Sequence, residues 1–220
     1  MKKINLITKN HKKTKRNYIQ RMNNKKIECM AIAKKYSKNY WDGPRKYGYG
    51  GFKYMPGRLT PIAKYLNSKY LKKKKPRVLD IGCGKGFLLY ELSKLNKDLE
   101  IHGIDISKYA IKNSINHIKR NLKVFDARLK LPYKDNFFDL VVSINTLHNL
   151  NLMENIRTLK EIKRVSKKAY IAVESYRNNK ELFNLQCWAL TCDSFFSPEE
   201  WKYLFKLSRV KGEYEFIYFE

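Results

Sequence analysis

VLDIGCGKGF, Val78–Phe87, has strand character up to Asp80, then glycine at Gly82, Gly84 and Gly86. An apolar run follows at helical spacing, through Leu88, Leu89, Tyr90, Leu92 and Leu95. That order predicts a strand over Arg77–Asp80, a tight turn, and a helix from about Gly86 to Asn96. Glycine suits a turn whose backbone takes positive φ or runs close to a ligand. The helix start beyond it offers free N–H groups and the positive end of a dipole. The stretch predicts a nucleotide-like ligand at the carboxyl end of a first parallel strand.

The glycine spacing is G-x-G-x-G, not the G-x-G-x-x-G of dinucleotide sites, and Asp80 stands two residues before the first glycine. A carboxylate there suits an ammonium-bearing ligand better than a pyrophosphate. A second acid, Asp105, ends the next predicted strand, Glu100–Ile106, 25 residues after Asp80. An acid at that point holds a ribose diol by accepting its O–H groups; it can instead cap a helix, but Ser107 beside it can fill that role. The acid before G-x-G-x-G and the GIDIS strand end resemble the class I S-adenosylmethionine (SAM) dependent methyltransferases, over about Pro76–Glu220. The resemblance implies an α/β fold with a doubly wound, mostly parallel sheet, and SAM as cofactor. It implies a cofactor set of Asp80, Gly82, Cys83, Gly84, Gly86, Asp105 and Ile106, with Asp126 and Ala127 at the adenine and Asn145 near the methionine end. Seven strands with a reversed last one are usual in such proteins. Here only one clear strand, Glu213–Phe219, follows the last helix, which predicts an abbreviated edge.

Downstream, the pattern predicts a helix from Tyr109 to about Lys119 and a strand at Leu122–Phe125. Phe137–Ile144 is an almost continuous apolar run, as in a strand buried on both faces. A helix at Met153–Val165, a strand at Ala169–Glu174 and a capping box at Ser197–Glu200, opening a helix that ends near Leu207, complete the series. The Gln186–Phe196 stretch reads as loop or substrate wall. His148, past the end of the fourth strand, is a candidate general base, because imidazole titrates near neutrality. Glu174, ending the fifth, is the next candidate. INTLHN replaces the N-P-P-[YF] motif of amino-methylating enzymes.

Upstream, residues 1–60 read as a basic N-terminal extension, partly disordered, before a SAM-binding domain over 61–220. The first dozen residues are too polar to predict order, and about Lys15–Tyr36 permits a basic helix. Tyr40–Pro61 mixes aromatics with glycines and reads equally as a lid or as an arm packing its rings on the core. Tyr49 and Arg58 are substrate candidates there, and Arg45 is a second cation suited to a carboxylate or phosphate. Thr60 and Pro61 look like the cap and first residue of a helix running over Ile62–Leu71.

The chain has 220 residues, enough for one such domain, and a net charge of +27. That charge reads either as a surface for RNA or as compositional drift, since lysines outnumber arginines. Four cysteines form no metal-ligand spacing, which predicts free thiols, no metal and a cytoplasmic setting. No apolar run approaches membrane-spanning length. The expected function is methyl transfer to a small-molecule acceptor, such as a sugar or surface-polysaccharide precursor. The alternatives are an RNA methyltransferase using the basic arm, and a non-catalytic SAM-fold binding protein.

Overall fold

The computed structural model describes residues 1–8, 16–49 and 52–220. Gly50 and Gly51 of the aromatic segment, and Lys9, Lys12, Lys13 and Lys15 of the basic arm, lie outside the described residues. The strands are β1 (Lys2–Lys3), β2 (Arg77–Ile81), β3 (Glu100–Asp105), β4 (Leu122–Val124), β5 (Leu140–Ile144), β6 (Ala169–Glu174) and β7 (Gly212–Ile217). They form a seven-stranded sheet in the order β1-β7-β6-β5-β2-β3-β4. Every strand pairing among the described residues is parallel.

Alternation along the strands feeds two cores. Leu79, Ile81, Val141, Ile171 and Val173 point to one face, where Leu159, Ile162 and Val165 of α7 (Leu152–Val165) and Trp201, Leu204 and Phe205 of α9 (Pro198–Leu207) cover them. Val78, Leu140, Val142 and Tyr170 point to the other, under α4 (Thr60–Tyr70) and α5 (Phe87–Leu95). Parallel strands buried on both faces need this double cover. The capping box read at Ser197 is present: its Oγ accepts from Glu200 N–H and Glu200 Oε2 accepts from Ser197 N–H.

As expected, one strand follows the last helix: β7 runs parallel to β6, and no reversed strand ends the sheet among the described residues. The sequence did not suggest β1, which lies outside β7 with Lys2 opposite Glu213. The first eight residues are therefore built into the fold. Thr8 is buried, and its N–H and hydroxyl, with the Ile7 N–H, donate to the fully buried Glu215. The single helix expected over Lys15–Tyr36 is two, α1 (Tyr18–Asn23) and α2 (Lys26–Ala33), broken where Lys25 takes a φ of 47°. A short α3 (Lys38–Asp42) follows. Thr60 is inside α4, not its cap, and its hydroxyl is drawn to the buried Glu91. The helix after β3, α6 (Lys108–Lys112), stops early and gives way to a 3-10 turn over Asn116–Asn121. β5 starts at Leu140; Phe138 makes only an isolated bridge to Ser166. The stretch left open between Gln186 and Phe196 begins as the end of α8 (Asn179–Trp188) and continues as loop.

Candidate cofactor site and catalytic cleft

The site is built where β2, β3 and β5 end together. Gly82 and Cys83 N–H both donate to the Ile104 carbonyl, at 2.8 and 3.0 Å, so the turn is pinned to β3. Gly84 N–H reaches Asp105 Oδ2 and Ser107 N–H reaches Asp105 Oδ1, each at 2.8 Å. Both carboxylate oxygens thus accept a backbone donor. Burial pushes the Asp105 pKa up and these two N–H groups pull it back. Ser107 caps α6 through Ala110 N–H, which leaves Asp105 to the ligand.

Two glycines are needed for contact as well as conformation. Gly82 has a φ of 77°, and a Cβ there would stand 1.9 Å from Thr146 Oγ1. Gly84 has a φ of 54°, and a Cβ there would meet Trp41 Cη2 at 2.8 Å. The turn is therefore gripped from one side by the loop after β5 and from the other by α3.

A cleft of about 270 Å³ opens beside it. Gly82, Asp105, Asn145 and Thr146 line it, together with Ile106, Phe125, Asp126, Ala127, Arg128 and Leu150. Lys34, Tyr36, Tyr40 and Trp41 line it too, and Thr191 and Asp193 come from the loop after α8. Asn145 takes a φ of 55°, a conformation Asn tolerates better than most residues and one found often at functional sites. Six residues read from the sequence as cofactor ligands meet here: Gly82, Asp105, Ile106, Asp126, Ala127 and Asn145.

The others stand back from the cleft. Asp80 is buried beneath it, where burial and the nearby Asp105 push its carboxyl up to about 7. Cys83 and the Gly86 start of α5 shape the turn, and Gly84 acts through its N–H. Tyr49 hydroxyl accepts from Leu190 N–H, and its ring leans on Trp188. Arg58 is exposed beside Met55, away from the cleft.

His148 is 3% exposed, behind the wall. Its Nδ1 accepts from Glu174 N–H at 3.2 Å, which places the ring proton on Nε2. Nε2 lies 3.6 Å from Glu174 Oε2. Burial drives the imidazole down to about 3, so the ring is neutral and this contact is a neutral N–H facing a carboxyl group, not an ion pair. Glu174 Oε2 is buried with no hydrogen-bond partner, and burial lifts that carboxyl to about 7. Of the two candidates, Glu174 is the one that titrates near neutrality.

The cover was only partly legible. The aromatic density flagged Tyr40 and Trp41, but no signal marked Tyr36, Lys34, Thr191, Asp193 or Arg128. Trp41 Nε1 donates to Ser107 Oγ at 2.8 Å and to the Tyr36 carbonyl at 3.2 Å. Tyr40 stacks on Phe52 and meets Tyr36, Trp41 and Tyr49 edge-on. The described rings of the segment pack on one another and on the fold, and Tyr40 and Trp41 also line the cleft. Two cations fasten this cover to α8. Arg21 donates to the carbonyls of Arg45, Lys46, Gly48 and Trp188, and Lys26 donates to those of Cys187 and Ala189. Burial, with Arg21 nearby, pulls the Lys26 ammonium down to about 8.

The residues present fit SAM. Asp105 presents a held carboxylate for a ribose diol, and Asp126 and Ala127 line the cleft together with apolar residues. Residues 72–209 match the family described as "Methyltransferase domain". The chain belongs to this SAM-dependent methyltransferase-domain family. A rat protein, the mitochondrial arginine-hydroxylase NDUFAF5, is 35% identical over 112 residues, 51% of this chain and 32% of the relative. A mouse probable tRNA methyltransferase 9B is 34% identical over 101 residues, 44% of this chain and 21% of the relative. The chain thus spans about a third or less of these relatives' lengths. The structure of a SAM-dependent methyltransferase from Archaeoglobus fulgidus aligns with a TM-score of 0.51 at 26% identity, covering 69% of each chain. Among the described residues no helix is long and apolar enough to cross a membrane, and no group of three His, Cys, Asp or Glu stands ready for a metal ion.

Proposed function

We propose that the protein transfers the methyl group of SAM to a small-molecule acceptor enclosed between the glycine turn and the aromatic cover. The observation that carries this reading is the cleft itself, lined both by the cofactor residues Gly82, Asp105, Asp126 and Asn145 and by Tyr36, Tyr40 and Trp41. When bound, SAM supplies an activated methyl on a positively charged sulfur, so the protein's task is to hold a nucleophile in line and keep water out. In this reading Asp105 holds the ribose and Asp126 with Ala127 receives the adenine. Glu174, buried and outside the residues that line the cleft, takes in this reading the proton that the acceptor gives up. His148 is a positioning residue that orients Glu174 through its backbone and side chain. Tyr49 stands back from the cleft and packs edge-on against Tyr40, and Arg58 takes no part.

The rim argues for a small acceptor over a polyanion. Lys34 and Arg128, the two cations lining the cleft, are engaged by Asp193 at 2.6 Å and by Asp126 at 2.6 Å. Each is already paired with an acid of the chain. Sequence-blind attraction of RNA to the surface lysines elsewhere would not by itself place a base in the cleft. The test is incubation with SAM labelled in the methyl group, against a metabolite extract in one arm and total RNA in the other. Label in the small-molecule fraction is the expected result. Label in RNA overturns the acceptor class, and SAM binding with no transfer in either arm favours the binding-protein alternative.

A further inference from the structure

Arg128 had no place among the residues read from the sequence, yet it is a heavily bonded side chain of the cleft lining. Its Nε lies 2.9 Å from both Oδ1 and Oδ2 of Asp126, and its Nη2 lies 2.6 Å from Oδ2. The backbone N–H of Arg128 adds a further bond to Oδ1, at 2.9 Å. On its far side, Nη1 reaches Glu154 Oε1 at 3.3 Å.

Glu154 is itself fixed. Its Oε2 accepts from Asn151 N–H at 2.9 Å and its own N–H donates to Asn151 Oδ1 at 3.0 Å, the capping box of α7. Thr158 Oγ1, one turn further on, donates to the Ala127 carbonyl at 3.1 Å. The Asp126–Arg128 loop is thus bolted at two points to the first turns of a long helix. A planar fork that grips a carboxylate in two places fixes its direction as well as its charge.

Asp126 lines the cleft together with the apolar residues Ile106, Phe125, Ala127 and Leu150. Apolar walls with one oriented acceptor suit a flat heteroaromatic ring carrying an exocyclic amino group. We propose that Arg128 is a cofactor-specificity residue, holding Asp126 as a fixed acceptor for the 6-amino group of adenine and so rejecting a 6-oxo purine. The proposal rests on the assignment of SAM as cofactor. A site built to accept an N–H rejects an analogue that presents a carbonyl oxygen there, because two acceptors then face each other.

The experiment is calorimetric titration of the full chain with S-adenosylhomocysteine and with S-inosylhomocysteine, in which the amino group is replaced by oxo. The wild type should prefer the adenosyl ligand by about tenfold or more, the fold-change expected of one hydrogen bond to a charged group. Arg128→Ala should lower that preference to within about threefold. Arg128→Lys keeps the charge and loses the fork, and should lose the preference too. A general structural role would weaken both ligands alike and leave their ratio intact, so an unchanged ratio in Arg128→Ala overturns the proposal. Failure of the wild type to bind S-adenosylhomocysteine would overturn the cofactor assignment and the proposal with it.

Discussion

Asp105 owes its usefulness to neighbours that are themselves fixed. Gly84 and Ser107 N–H groups aim its carboxylate at the cleft before any ligand arrives. Asp105→Ala should weaken SAM binding by about 1.5–3 kcal/mol, the worth of hydrogen bonds to an ionised acceptor. Calorimetry checks this, and unchanged affinity would remove Asp105 from the site. Glu174 gives a prediction in pH. Burial raises its carboxyl from 4.5 to about 7. The folded value lies above the unfolded one, so its contribution to stability is full below pH 4.5 and is lost as the pH rises to about 7. Glu174→Gln cannot ionise. Across that window the wild type should lose on the order of 3 kcal/mol relative to the variant. Urea unfolding of both proteins at each end of the window measures the difference. Asp80 titrates in the same range but is present in both and cancels. An equal pH dependence in the two proteins would show that Glu174 is not held protonated.

At the scale of elements, the N-terminal strand was the largest departure from the sequence reading. The first dozen residues read as too polar to order. In the fold, Ile4, Leu6 and Ile7 pack against the core, and Ile7 and Thr8 satisfy a glutamate that has no access to solvent. Removing them leaves a buried carboxylate short of donors, at about 1–3 kcal/mol for an unsatisfied polar group, plus the lost packing. Deleting Met1–Thr8 should therefore lower the melting temperature by roughly 5–10 °C. A shift under about 2 °C would show that the strand contributes little. The α1–α2 cover behaves as a second element. It is held at the end of α8 by the carbonyl bonds of Arg21 and Lys26. Arg21→Ala should speed hydrogen exchange in α2 and α3 while leaving the strands protected, since elements held by few contacts open first. Uniform loss of protection would mean that the cover and the sheet unfold as one unit.

Across the whole molecule, charge and shape point in different directions. The chain carries +27, while the cations at the mouth of its cleft are already matched by acids. Binding to mixed RNA should accordingly fall steeply with salt, whereas SAM affinity should change little over the same series, because only the former releases counterions. Parallel salt slopes would place the basic surface in the cofactor site. By itself the sequence determined the strand–turn–helix at Val78–Leu95, the strands that end in Asp105 and Glu174, the apolar β5 run and the cap of α9. Each of these rests on residues close together in the chain: periodicity, glycine in a turn, a capping side chain. The same local logic brought Gly82, Asp105, Asp126 and Asn145 to one edge, since parallel strands carry their carboxyl ends to the same side. Tertiary structure alone decided the rest. That Lys2–Lys3 forms a strand depends on the open edge of β7, more than two hundred residues away. That His148 is neutral and Glu174 titrates near 7 depends on the burial of both, which disfavours the charged form of each. Trp41 on Gly84, Thr146 against Gly82 and Arg128 on Asp126 and Glu154 arise from segments packed side by side, and side-chain periodicity carries no record of which segment will lie opposite.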